Sequence, residues 1–239
     1  MQQRMYALPE ITKNLIIINV LMFLASMTFK WFAEYFSLYS MYSPYFQPVQ
    51  IVTHMFMHGG ISHVFFNMFA LFMFGSEIER AFGAKKFLMY YLLTGFGAAL
   101  LQSGVNYMEI QQAMQGLSIV DVNKAIQEGG QLLYERGQNY SDPQLGGLNM
   151  LLHTRMLGAS GAVFGLLAAF GMLYPNRVIY MLIPPIPLKA KYFVLIYGAI
   201  ELYLGVSQAQ TGVAHFAHLG GALFGVLLII IWRKQGARF

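Results

Sequence analysis

An all-α polytopic membrane protein, a bundle of six transmembrane helices, is the fold class this sequence predicts, and three observations predict it. The first is charge: 15 Lys+Arg and 10 Asp+Glu make up only 10% of 239 residues, against roughly 25% in an ordinary soluble domain. The second is apolar content, with 57% hydrophobic residues, 15% aromatics and a mean hydropathy of +0.52. A soluble surface so poor in charge would aggregate, and a chain so apolar does not stay disordered. The third is length, since six spans of ~20 residues plus their connections fit one such bundle. The absence of cysteine excludes disulfides, thiolate metal ligands and cysteine catalysis.

Taken in order, the apolar stretches run over about 14–29, 61–76, 87–105, 157–174, 192–207 and 213–232. Several fall slightly short of a bilayer core, so flanking aromatics and snorkelling Lys or Arg complete them. The first follows Arg4 and Lys13, but Ala25-Ser26-Met27 is a poor cleavage site, so it reads as an uncleaved span. The segment Gln47–His58 is apolar but interrupted by His54 and His58, and reads as an interfacial or re-entrant piece. Residues 106–156 form a long polar loop. Within it, Ser118–Arg136 has partial helical periodicity broken at Gly129-Gly130, which fits either a short amphipathic helix lying on the membrane or a solvated connector.

Charge then orients the bundle. Arg4, Lys13, Arg80, Lys85, Lys86, Arg177, Lys189, Lys191, Arg233, Lys234 and Arg238 fall on the side of the two termini. Only Lys30, Lys124, Arg136 and Arg155 fall on the other. Eleven against four predicts cytoplasmic termini by the positive-inside rule. The net charge of +5 therefore needs no nucleic-acid partner.

Polar groups inside a membrane are costly, which makes each a functional candidate. The second span carries His63 and Asn67 at i, i+4, on one helix face. The fourth opens with Gly158-Ala159-Ser160-Gly161 and continues through Phe164-Gly165; the sixth holds His215 and His218 ahead of Gly220-Gly221 and Gly225. Singly these have plain readings. Gly161/Gly165 and Gly221/Gly225 are small-xxx-small pairs that bring helices close, and a lone membrane His or Asn is commonly interhelical glue. Jointly they say more, because the predicted topology sets Ser160, His218, His63 and Asn67 at one depth near the outer surface. That placement, on helices with small-residue faces, suits a serine–histidine pair within ~2.6–3.2 Å. Helical periodicity assigns the tight-contact face (Ala214, Gly221, Ala222, Gly225) to His218. His215 then packs beside it or meets the interface.

Together, HGGISHVFFNMF, GASGAVFG and AHFAHLGGALFG resemble the rhomboid family of intramembrane serine proteases, and the likeness extends over all six stretches. It implies Ser160 as nucleophile, His218 as general base and acid, and His63 and Asn67, with the Ser160 N–H, as oxyanion donors. Phe164 stands where many members have a tyrosine stacked under the catalytic histidine; its ring survives without the hydroxyl. The first outer loop reads Lys30-Trp31-Phe32-Ala33-Glu34-Tyr35, where many members have a Trp-Arg pair.

The chemistry follows without the family name. Glu201 is the sole acid in the last four stretches and sits in the fifth, so the expectation is a dyad with no carboxylate near it. No cofactor and no metal is expected. The resemblance implies transmembrane substrates cut near their outer end; these and lipids are the expected partners, with substrate arriving laterally from lipid and the fifth span and the long loop as gates. The expected location is a bacterial inner membrane. Two other functions compete. A histidine-based metal transporter could use His54-x3-His58 or His215-x2-His218, but the first pair lacks the glutamate of a His-Glu-x-x-His protease. A non-catalytic binder of transmembrane helices should lack Ser160 or His218, and both are present.

Overall fold

A computed structural model describes residues 7–180, 186–207, 213–237 and 239; Arg4 and Arg238, counted above in the charge bias, lie outside the described residues. Helix α1 (Glu10–Thr28) and the short α2 (Lys30–Phe36) lead to α3 (Gln50–Thr53) and a tight turn at His54–Phe56. Helix α4 (Ile61–Ala70) passes through a wide turn at Leu71–Gly75 into α5 (Ser76–Phe82). Then come α6 (Ala84–Met114), α7 (Ile119–Arg136), α8 (Pro143–His153), α9 (Ser160–Leu173), α10 (Ala190–Val206) and α11 (His215–Lys234). Between α9 and α10, β1 (Val178–Tyr180) and β2 (Pro187–Lys189) pair antiparallel, with Ile179 opposite Leu188.

Among the described residues, four helices are long and apolar enough to cross a membrane: α1, the continuous rod over Ile61–Phe82, α6 and α11. Helix α9 has only 14 residues, and every one from Gly161 to Phe170 is buried. A helix apolar all round belongs in a protein interior, and α9 is the axis around which the others pack. Helices α6, α9 and α11 meet backbone to backbone. A Cβ on Gly221 would collide with the Gly161 carbonyl, and one on Gly225 with the Tyr90 hydroxyl and the Gly165 backbone. Tyr90 donates a 2.8 Å hydrogen bond to the Gly165 carbonyl in this seam. The small-residue pairs are helix contacts, as their spacing predicts.

The two ends of the bundle differ chemically. At one end Glu79 accepts from the Ile11 and Thr12 N–H groups (3.0 and 2.7 Å) and from the Thr12 hydroxyl (2.7 Å). It caps α1 from a distant helix, supplying acceptors that the first turn lacks. Glu77 pairs there with Arg80 (3.3 Å) and Arg177 (2.6 Å), and Lys86 lies over the Trp232 ring. Arg80, Lys86 and Arg177, assigned to one side by sequence, thus share one end. The opposite end carries α2, with Phe29, Trp31 and Tyr35 exposed in the manner of interfacial aromatics.

Residues 106–156 are not a bare connector, and Ser118–Arg136 forms the amphipathic helix that its periodicity suggests, capped by Ser118 and unbroken at its two glycines. Helix α6 extends to Met114, and α7 and α8 pack on one another around Ile110, Ala125, Leu145, Leu148 and Leu152. Helix α7 runs unbroken through Gly129-Gly130, because those glycines admit neighbours: a Cβ would strike Asn149 at the first and Tyr45 at the second. Ser118 and Asp142 cap the two helices by accepting from the Asp121 N–H (3.1 Å) and the Leu145 N–H (2.7 Å).

His153 ties this cap to the rest. Its Nε2 donates to the Ala125 carbonyl (3.0 Å), so Nδ1 accepts from the Ser43 hydroxyl (3.1 Å). Burial pushes the imidazole below its ordinary value of 6.5. The folded cap therefore prefers neutral His153, and that stabilisation is complete above about pH 6.5 and lost as pH falls below it. Limited proteolysis of residues 137–142 should accelerate between pH 7.5 and 5, and His153→Gln should flatten the trend. A flat wild-type profile would reject this coupling.

Candidate functional site

Three helices begin at one point. Ser160 is the first residue of α9, His218 lies in the first turn of α11, and His63 in the first turn of α4. The N–H groups of a first helical turn lack intrahelical carbonyls and carry the positive end of the helix dipole. The Ser160 N–H is such a group. The start of α11 is held from α6, where Gln102 accepts from the Ala217 N–H (3.2 Å).

The geometry brings the predicted pair together. His218 Nε2 lies 2.9 Å from Ser160 Oγ. Phe164 lies flat against the His218 ring, with centroids 4.2 Å apart and planes 7° apart, so the stack expected at that position is present. Ser160, His218, His63 and Asn67 all line one cavity of about 700 Å³, bounded on one side by α4 (Phe66, Phe69, Ala70) and on the other by α10 (Phe193, Tyr197).

Glycine makes room in this cavity. Gly158 has φ of 129°, a conformation that L side chains rarely adopt. A Cβ there would lie 2.8 Å from His63 Nε2 and 3.5 Å from Ser160 Oγ. Both atoms thus face the one small volume that glycine leaves empty. His63 Nδ1 accepts from the Gly59 N–H at 3.3 Å, and Asn67 Nδ2 donates to the His63 carbonyl at 2.9 Å. The first contact orients the His63 ring with Nε2 toward the cavity. Gly161 and Gly221 serve beneath, where their backbones touch.

A family profile described as the Rhomboid domain matches residues 45–121 and 131–235. The chain belongs to the rhomboid family. Among similar proteins, Rhomboid protease AarA of Providencia stuartii is 29% identical over 181 residues, covering 74% of this chain and 53% of that protein. RHOMBOID-like protein 4 of Arabidopsis thaliana is 31% identical over 181 residues (72% and 31%). RHOMBOID-like protein 12, mitochondrial, from the same plant is 30% identical over 190 residues (79% and 48%). This rhomboid spans about half or less of the length of these relatives. They include bacterial and mitochondrial proteins, so the likeness places the chain in a membrane without selecting the bacterial inner membrane that was expected.

One sequence expectation about the site needs correction, that no carboxylate lies near the pair. Glu201, on α10, places Oε2 2.6 Å from His215 Nδ1 and 3.0 Å from His218 Nδ1. His215 is accordingly a buried partner of Glu201 and does not face an interface. The signal in the sequence was the acid itself, an ionisable group inside an apolar stretch. Glu201 shares a helix face with Phe193 and Tyr197, spaced i, i+4, i+8; those two rings line the cavity, and Tyr197 packs 4.9 Å from Phe164. Residues 106–156 reach the cavity through Met156, which lines it and pairs with Leu38 through backbone hydrogen bonds.

Glu201 also supplements the histidines that a metal would need. The donor atoms of Glu201, His215 and His218 lie within 4.8 Å of one another, and this is the one such group among the described residues. The spacing suits a shared proton better than an ion. Two ligands of a tetrahedral metal with bonds of ~2.0 Å sit roughly 3.3 Å apart, whereas 2.6 Å between Nδ1 and Oε2 is a charge-assisted hydrogen bond.

Proposed function

We propose that this rhomboid is an intramembrane serine endopeptidase that cuts transmembrane helices near their outer end. The observation that carries this reading is the 2.9 Å contact between Ser160 Oγ and His218 Nε2, set in a cavity walled by the apolar faces of α4 and α10. In the reaction Ser160 Oγ bonds to the scissile carbonyl carbon while its proton passes to His218 Nε2. The oxyanion forms in the space beside Gly158, where the Ser160 N–H, His63 and Asn67 stabilise it. Collapse breaks the C–N bond, and His218 returns the proton to the leaving amine. Water, deprotonated by His218, then releases the acyl group from Ser160. Substrate reaches the site from lipid between α4 and α10, whose Leu195, Ile196 and Tyr203 are exposed.

The same reading proposes six crossings. At 1.5 Å per residue, α10 is about 26 Å long and α9 about 21 Å. A helix as short as α9 serves because protein rather than lipid surrounds it and water enters above Ser160. Termini lie in the cytoplasm and residues 106–156 outside it. Protease added to right-side-out vesicles should nick the 106–156 segment and spare both termini; protection of that segment would overturn the topology.

A fluorophosphonate probe tests the chemistry. It should label wild-type protein on Ser160 and leave Ser160→Ala unlabelled. Strong chelators should leave cleavage of a transmembrane substrate unchanged. Activity lost to chelation and restored by zinc would favour the metal reading that Glu201, His215 and His218 make conceivable.

A further inference from the structure

We propose that Glu201 is a positioning residue of the reaction, forming a Ser160–His218–Glu201 relay whose carboxylate His215 holds in place. The proposal rests on the serine-protease reading above and adds a third member to its pair. Its basis is an arrangement across two helices. His215 and His218 project from one side of the first turn of α11, and Glu201 projects toward them from α10. All three are buried, at 6%, 8% and 4% exposure, where a carboxylate persists only with partners that favour its charge.

The proton positions follow from chemistry. For His218 Nε2 to accept the serine proton, the resting ring must carry its hydrogen on Nδ1. Among the described residues His218 Nδ1 has no aligned hydrogen bond, yet Glu201 Oε2 stands 3.0 Å away. A loose contact of this kind is expected before substrate arrives, because catalytic hydrogen bonds often tighten only in the reacting complex. When His218 becomes imidazolium, both Nδ1–H and its charge face the carboxylate. The 2.6 Å bond from His215 fixes the same oxygen, so Glu201 cannot swing away into the cavity. Glu201 never touches substrate. It selects the tautomer and stabilises the imidazolium, while Phe164 fixes the plane of the ring.

A neutral amide distinguishes this role from mere packing. In Glu201→Gln the side-chain NH2 can donate to His218 Nδ1, which moves the ring hydrogen to Nε2 and disables the base. Glu201→Ala removes the carboxylate without imposing that tautomer. The relay therefore predicts that Gln is the worse substitution, whereas a structural strut predicts that Ala is. The full chain, purified in one detergent, should be assayed with a transmembrane substrate and a fluorophosphonate probe as wild type, Glu201→Gln, Glu201→Ala, Glu201→Asp and Ser160→Ala. We expect Gln to lower kcat by roughly 10²- to 10⁴-fold, the upper figure being the loss when asparagine replaces the aspartate of a serine-protease triad. KM should stay nearly fixed, Ala should lose less, and Asp should recover part of the rate. Probe labelling of Ser160 should slow in the same order. Wild-type kcat in Glu201→Gln, with Ser160→Ala inactive, would overturn the relay and leave the serine reading intact. Ala worse than Gln, with melting temperatures falling in step, would also overturn it. A wild-type chain that neither cleaves nor takes the probe would remove the serine reading, and the relay with it.

Discussion

His218→Ala is expected to abolish cleavage of a transmembrane substrate, a loss on the order of 10⁴-fold or more, by comparison with base removal in serine proteases. His218 Nε2 is the basic atom in contact with Ser160 Oγ, at 2.9 Å, whereas His215 Nδ1 is bonded to Glu201 Oε2 at 2.6 Å. His215→Ala should therefore retain a measurable fraction of kcat. The comparison is best made by kinetics of both variants with a thermal-melt control. A dead His215→Ala alongside an active His218→Ala would mean that α11 is rotated about its axis in the working protein. Such a rotation would turn a side chain toward the Gly161 backbone, which leaves no room for a Cβ at Gly221.

Asn67→Ala and His63→Ala are expected to act on the transition state. Both residues line the cavity with Ser160, and His63 Nε2 faces the volume beside Gly158. Removing one oxyanion donor typically lowers kcat by ~10²–10³, about 2.7–4 kcal/mol. Asn67→Ala should fall within or below that range, since the Ser160 N–H and His63 remain. KM should barely change, because an interaction made only in the transition state leaves ground-state binding alone. His63→Ala should cost more, since its ring also packs edge-on against His58 at 5.0 Å and accepts from the Gly59 N–H. Wild-type turnover in Asn67→Ala would leave Asn67 as a packing residue that donates to the His63 carbonyl within its own helix.

Much of this was legible in the chain itself. Low charge and long apolar runs dictate a membrane bundle, since nothing else solvates such a surface. Helical periodicity ties spacing to face, so His63 with Asn67, and His218 with Gly221 and Gly225, could be assigned to shared faces before any coordinates. The charge asymmetry set the common depth of Ser160, His63 and His218, and the small-residue pairs marked where backbones touch. Other features depend on distances between helices, which local sequence does not encode. Gly129 and Gly130 read as a break in α7, yet they are contact points for Asn149 and Tyr45; a glycine has the same letter in either role. Residues 106–156 read as loop because their apolar face is small, and it became a core only when α7 met α8. Glu201 was visible as an acid in an apolar stretch, but its partners lie on another helix. Whether a carboxylate meets a histidine 3.0 Å away is set by how α10 and α11 turn about their axes when they pack. That rotation is fixed by side-chain interlocking across the bundle and has no signature in the spacing of either helix alone.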